Sequence, residues 1–152
     1  MNIYLTVHSD VDGDNGVRIE NYIDAVAAVL EIDKYEGDIS IELMKKCDGD
    51  AGGYCYGDHE DIEIEIATHV QGEALDIDVI KQNIAHEMIH AQQMASGRLI
   101  DHGLQVVNDC LVKVSEWDGE YHQNTKYEDQ PWEIDAYARE AIVKQNAEGL
   151  IV

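Results

Sequence analysis

The stretch IKQNIAHEMIHAQQMASG, residues 80–97, constrains this chain more than any other. It contains no proline, and its one glycine, Gly97, stands at the end, so the composition predicts a helix over 76–96 with Asp76 or Asp78 able to cap it. Ile80, Ile84, Met88, Ala91 and Ala95 form one apolar stripe, and Ala85 and Ile89 add a second flank. A helix apolar over so much of its surface is expected to be buried. Yet it carries His86, Glu87 and His90. Positions i and i+4 lie on one face of a helix, so both imidazoles point the same way. Buried imidazoles are costly without partners, and a shared metal ion would supply one, with Glu87 beside it to polarise a water.

The chain has 152 residues, enough for a single domain, 1–152, with one core. Its apolar fraction of 45% is ordinary for a globular protein. No apolar run is long enough to span a bilayer, and the first residues lack the pattern of a signal peptide, so the expectation is a cytoplasmic protein with no membrane association. Three cysteines, an odd number, argue against a disulfide framework. Charge is the unusual bulk property. Ten Lys and Arg against 32 Asp and Glu give a formal net charge of −22. Such a surface repels phosphate backbones and argues against nucleic acid as a partner; its plain role is solubility.

Along the chain, residues 1–8 read as a strand, with Ile3, Leu5 and Val7 on one face. The loop SDVDGDNG sets Asp10, Asp12 and Asp14 at alternate positions, like a calcium loop. An EF-hand needs Gly at its sixth position and Glu at its twelfth, where this chain has Asn15 and Asn21. The loop therefore reads as an acidic lead into a helix over 17–35, with Ile19, Ile23, Val26 and Leu30 as its core face. A strand follows at 39–46, and the glycine-rich run 47–60 reads as a loop. Asp61–Thr68 alternates strictly: Ile62, Ile64 and Ile66 on one face, Glu63 and Glu65 on the other. It is expected to be a half-buried strand whose free edge could pair with an extended peptide and whose glutamates favour basic ones. Residues 97–109 read as a turn away from the central helix, 110–116 as a strand, Asp118-Gly119 as a tight turn and 122–129 as a loop. A last helix is expected from Trp132 to Ala147.

A catalytic zinc takes three protein ligands. The metzincin pattern would need Gly at 93 and His at 96, where this chain has Gln93 and Ser96. His102 and His122 lie without recognisable context. Glu133 is the better third ligand. On the last helix it shares a face with Ala136, Tyr137 and Glu140, and the small Ala136 would let that helix approach closely. Asp135 points roughly 160° away and is a weaker choice.

HEMIH, followed some 40 residues later by a helix opening PWEIDAYARE, resembles the small gluzincin-type zinc metallopeptidases. With WDGEY between them, the wider pattern over residues 54–145 is similar to compact HExxH peptidases often encoded by phages and bacteria, and distantly to SprT-like and minigluzincin proteins. Asp135 stands where Glu is expected in such relatives. The resemblance implies an α+β, zincin-like fold: a small mixed or antiparallel sheet packed on an N-terminal helix and the HExxH helix, with a C-terminal helix bearing a ligand. It implies Zn²⁺ on His86, His90 and Glu133, Glu87 as general base in hydrolysis of a peptide or unfolded segment, and an oxyanion donor. Tyr137 is the first choice for that donor, ahead of Tyr121, His122, Tyr127 and Tyr54. Trp117 and Trp132 read as packing residues.

Three other readings compete. Peptide deformylase pairs HExxH with an upstream cysteine, but KKCDGD and GGYCYG do not resemble its cysteine segment. A structural zinc on Cys47, Cys55, His59 and Cys110 lacks paired spacing. The alternative from another class is a catalytically inactive or non-enzymatic acidic protein that mimics a polyanion or binds a basic partner.

Overall fold

The computed structural model of the protein describes residues 1–11 and 13–151, with the backbone alone for 13–17. In chain order the elements are β1 (Asn2–Val7), α1 (Gly13–Val29), β2 (Asp38–Met44), β3 (Gly53–Gly57) and β4 (Asp61–Ala67). The short strands β5 (His69–Val70) and β6 (Glu73–Ala74) precede α2 (Ile77–Ala95). The chain ends with β7 (Leu99–Val107), β8 (Cys110–Trp117), β9 (Glu120–Gln123) and α3 (Pro131–Gly149). The fold is a mixed α+β arrangement. None of its helices is long and apolar enough to cross a membrane.

The main sheet has the order β1-β2-β4-β3. β1, β2 and β4 run parallel, and β3 pairs antiparallel with β4. Its strands alternate in sequence, so one face is apolar: Ile39, Ile41, Leu43, Ile62, Ile64 and Ile66 are all buried. Each such burial contributes on the order of 2 kcal/mol relative to exposure. This face packs with Ile19, Tyr22, Ile23 and Val26 of α1 and Ile80, Ile84 and Met88 of α2 in one core. Tyr22 ties the two helices by donating to the Lys81 carbonyl at 2.8 Å. α3 lies across both helices and buries Ala136, Val143 and Ala147.

The expected edge at Asp61–Thr68 is overturned. β4 is flanked by β2 and β3, so its pairing groups are taken. The free edge belongs to β3, in the run expected to be a loop. Its glycines serve a tight hairpin: at Gly57 (φ 129°) a Cβ would meet the Asp61 carbonyl oxygen at 2.1 Å, and Asp58 Oδ1 accepts from the Glu60 and Asp61 amides, both at 2.9 Å. Glu63 and Glu65 face away from α2, on the side of Ser40, Glu42 and Tyr56, so they do not line the site below and cannot select basic peptides there.

Other boundaries shift as well. α1 ends at Val29 rather than near 35, because Glu31 turns left-handed (φ 53°) and lets Ile32 enter the core through a short 3₁₀ turn. Residues 97–109 are strand β7 instead of a turn, and 120–123 form β9 instead of a loop. Asp118-Gly119 is a tight hairpin turn as expected, with positive φ at both residues, and Asn108-Asp109 makes a second of the same kind. Asp76 occupies the N-cap of α2 without a side-chain capping bond. Asp12 of the acidic loop lies outside the described residues, as does the side chain of Asp14, and with them the comparison to a calcium loop.

Candidate metal centre

His86, Glu87 and His90 are all buried on α2, with 7%, 9% and 5% exposure. What makes that tolerable is the facing turn of α3. Its N-terminal turn carries Glu133, and Ala136, fully buried, lets the two helices come together. One Glu133 oxygen lies 2.9 Å from His86 Nε2, and the other lies 2.9 Å from His90 Nε2. The two Nε2 atoms stand 3.2 Å apart. Among the described residues, the group of His, Cys, Asp and Glu side chains able to hold a metal ion is His86, His90 and Glu133, with donor atoms within 4.8 Å of one another.

Three observations test whether this set fits zinc. Two nitrogens each about 2.0–2.1 Å from a tetrahedral zinc stand ~3.3 Å apart, close to the 3.2 Å found here. Each imidazole also has its other nitrogen engaged. His86 Nδ1 lies 2.7 Å from Glu140 Oε2, and His90 Nδ1 lies 2.8 Å from Gln93 Oε1. With both Nδ1–H groups donating outward, both Nε2 lone pairs point at the common centre. Finally, Glu87, Glu133 and Glu140 place three carboxylates around two imidazoles, an excess of negative charge that a dication offsets. The donor set fits a divalent zinc.

The supporting partners are themselves held. Glu140 accepts from Gln82 at 2.7 Å through its other oxygen. Gln93, fully buried, donates to the Trp132 carbonyl at 3.0 Å and to Asp135 Oδ2 at 2.9 Å. Arg139 in turn donates to Asp135 and to Gln92. Asp135 therefore stands behind His90, reaching it through Gln93, and not at the metal position. Glu140 and Gln93 are site residues that the motif did not single out. Glu140 had a signal, since it falls on the helix face of Glu133 two turns on.

The protonation states follow from this packing. Burial pulls the His86 pKa down, but the Glu133 hydrogen bond, the Glu87 charge and the Glu140 hydrogen bond outweigh it and raise it to about 9. His90 is raised in the same way, against its own burial, chiefly by Glu133. Burial alone would raise Glu133, but the two imidazoles dominate and hold it at about 2. Glu87 behaves differently. Burial lifts it, the two histidines only partly oppose this, and its carboxyl reaches about 7.

A cleft of about 450 Å³ opens over Glu87, His90 and Glu133. One wall is β3, with Gly53, Tyr54 and Cys55; the other is the β7–β8 hairpin, with Leu99, Asp101, Lys113 and Ser115; Met94, Tyr127 and Trp132 complete it. Gly53 is close to Glu87: a Cβ there would stand 3.1 Å from Glu87 Cγ and 3.0 Å from the Glu65 carbonyl oxygen.

The remaining expected residues fall as follows. The Tyr137 ring packs on His86 at 4.5 Å between centroids, and its hydroxyl lies 2.8 Å from that of Tyr127. Tyr127 donates to Glu133 at 3.1 Å and is the one of the pair that lines the cleft. Tyr54 donates to the Asp48 carbonyl, and Tyr121 is exposed beside His102. His102 contacts Glu116 at 3.4 Å, and His122 packs edge-on to Trp132. Trp117 and Trp132 pack against the core, and Trp132 also lines the cleft. The three cysteines are free thiols, and burial raises the Cys47 thiol to about 11 and the Cys55 thiol well above its ordinary value. Comparison of the chain with protein-family models, with curated proteins and with solved structures finds no match in any of the three.

Proposed function

We propose that this chain is a zinc-dependent peptidase of the HExxH type, with His86, His90 and Glu133 holding the metal and Glu87 acting as general base. The observation that carries the reading is the convergence of the two Nε2 atoms and the Glu133 carboxylate at the floor of a cleft that Glu87 also lines. Bound zinc supplies Lewis-acid polarisation of a carbonyl and acidifies water. Glu87 takes the proton of the attacking water and passes it to the leaving amine; a base with a pKa near the working pH suits both halves of that task. Its carboxyl, lifted by burial, is placed for this.

The hydroxyl chain supports an oxyanion donor at Tyr127 in place of Tyr137. Burial, the bond with Tyr137 and the Glu133 charge raise the Tyr127 pKa, so it stays protonated as a donor. With Tyr127 donating to Glu133, the Tyr137 hydroxyl is left to donate to Tyr127 and hold it from behind. The free edge of β3 along the cleft offers backbone groups to an extended substrate.

The test is Glu87→Gln beside wild type, with zinc content and cleavage of a peptide library measured on the same preparations. The reading expects about one zinc per chain in both proteins, and cleavage lost by about 10²–10⁴-fold in the variant. A wild-type protein that takes up no zinc, or a variant with undiminished turnover, refutes it. Zinc-free protein that binds basic partners normally would favour the acidic-binder alternative.

A further inference from the structure

The β7–β8 hairpin carries a surface unlike the rest of the chain. Among 32 acidic residues in the whole sequence, its outer half, 103–114, holds a single acid, Asp109, and a single base, Lys113. Three aliphatic side chains there stand in solvent: Leu104 at 68%, Val106 at 72% and Leu111 at 68% exposure. Grouped apolar exposure of this kind marks an interaction surface.

Register fixes which way the three side chains point. Asp101 pairs with Ser115, Leu104 with Lys113 and Val106 with Leu111. Residues paired across a ladder share a face, and faces alternate along each strand. Asp101, Lys113 and Ser115 line the cleft, so Leu104, Val106 and Leu111 continue the same wall outward. On a regular strand they would not, because Asp101 would share its face with Gly103, Gln105 and Val107. The register shift between Asp101 and Gly103 makes His102 an extra residue and brings Leu104 and Val106 to the cleft side. This bulge is held locally: Gly103 (φ 66°) donates its amide to Asp101 Oδ1 at 2.8 Å, and Gln105 donates to the His102 carbonyl at 2.7 Å. The Val106–Leu111 pair lies about 7 Å beyond Leu104–Lys113, two residues of strand rise.

We propose that this strip docks the continuation of the polypeptide held in the cleft, and that the protein therefore acts on extended, unfolded segments rich in aliphatic side chains. The inference rests on the peptidase reading. Continuity with the cleft wall names the occupant: a chain leaving the cleft along this wall passes over Leu104, then over Val106 and Leu111. An extended chain presents every second side chain to such a surface, which matches the spacing of the strip. The strip is also nearly free of charge within a chain of net charge −22. It holds its ligand by apolar contact, while the surrounding acidic surface repels acidic segments.

The test uses Leu104→Ser, Val106→Thr and Leu111→Ser combined, in zinc-loaded protein with Glu87 intact and in the Glu87→Gln background. All three positions are exposed, so the core is untouched. The probe is a labelled peptide with alternating Leu or Val over the strip. A control peptide has Ser and Gly at those positions. In the Glu87→Gln background the probe should bind about tenfold more weakly when the strip is changed, and the control should be unaffected. With Glu87 intact, KM for the probe should rise by the same factor while kcat holds. Unchanged probe affinity, or no detectable binding to the unaltered strip, overturns the proposal. So does a wild-type dimer that the triple variant converts to monomer, since a second copy would then be the occupant. Strip-dependent binding of a probe that wild type does not cleave leaves the docking strip standing and removes the peptidase reading instead.

Discussion

Glu140 Oε2 lies 2.7 Å from His86 Nδ1 across the contact between α2 and α3. That bond fixes the ring so that Nε2 faces Glu133. Carboxylates in this role raise the basicity of a metal-bound imidazole and lock its orientation, and removing them costs about 10–100-fold in metal affinity. Glu140→Ala should weaken zinc binding by that amount, measured by competition with a chelating dye. Glu140→Gln, which can still accept from Nδ1, should recover part of the loss. Equal affinity in all three proteins would show that the contact does not orient the ligand.

Glu133 and Asp135 sit two residues apart on α3 and differ sharply in reach. Glu133 touches both imidazoles, whereas Asp135 reaches His90 only through Gln93. Glu133→Ala should lower zinc affinity far more than Asp135→Ala. A loss at Asp135 equal to or greater than that at Glu133 would mean the wrong carboxylate has been assigned.

Gly53 gives Glu87 its room. A Cβ at this position would press on Glu87 Cγ from 3.1 Å, with the Glu65 carbonyl behind it at 3.0 Å. Gly53→Ala should therefore move the Glu87 carboxylate while leaving the ligands in place. Turnover should fall by about tenfold or more, since small displacements of a reacting group are costly, with zinc content unchanged. Unaltered kcat would show that β3 and Glu87 give way without consequence.

Zinc affinity should depend on pH through His86. In the metal-free protein its pKa is raised from 6.5 to about 9. Below that value the metal must displace a proton, so apparent affinity should climb about tenfold per pH unit between pH 6.5 and 9 for each proton released. Titration with proton uptake or release recorded in parallel checks this. For the stability of the metal-free protein the signs run in opposite directions. The raised His86 pKa stabilises the fold fully below about pH 6.5, and this contribution fades as pH rises through about 9. The lowered Glu133 pKa stabilises above about pH 4.5, and this is lost as pH falls toward about 2. Thermal unfolding should accordingly be highest between about pH 5 and 6.5. A flat affinity profile across this range would contradict the charge pattern at the site.

The parts readable in the chain were those that depend on local periodicity. The spacing of His86 and His90 sets both rings on one face of α2 whatever surrounds them. The pattern of Glu133, Ala136 and Glu140 marks the face of α3 that meets it. Strict alternation identified β4 and its buried isoleucines. The Asn108-Asp109 turn between LQVV and CLVKV was a legible hairpin signal of the same local kind, and reading it would have revealed β7.

Pairing was not readable, because a strand's neighbours are set by distant residues. GGYCYG has the composition of a loop and becomes a strand only because β4 offers it a partner; that pairing also moves the free edge from β4 to β3. The sequence by itself determined which side chains could ligate a metal and that they would share a helix face, since helical geometry is fixed by the backbone. Only the tertiary structure decided that Glu140 and Gln93 turn both imidazoles inward, that Gly53 makes room for Glu87, and that a one-residue bulge at His102 aims Leu104 and Val106 along the cleft wall. Each of these depends on contacts between segments far apart in the chain, and local periodicity carries no information about those.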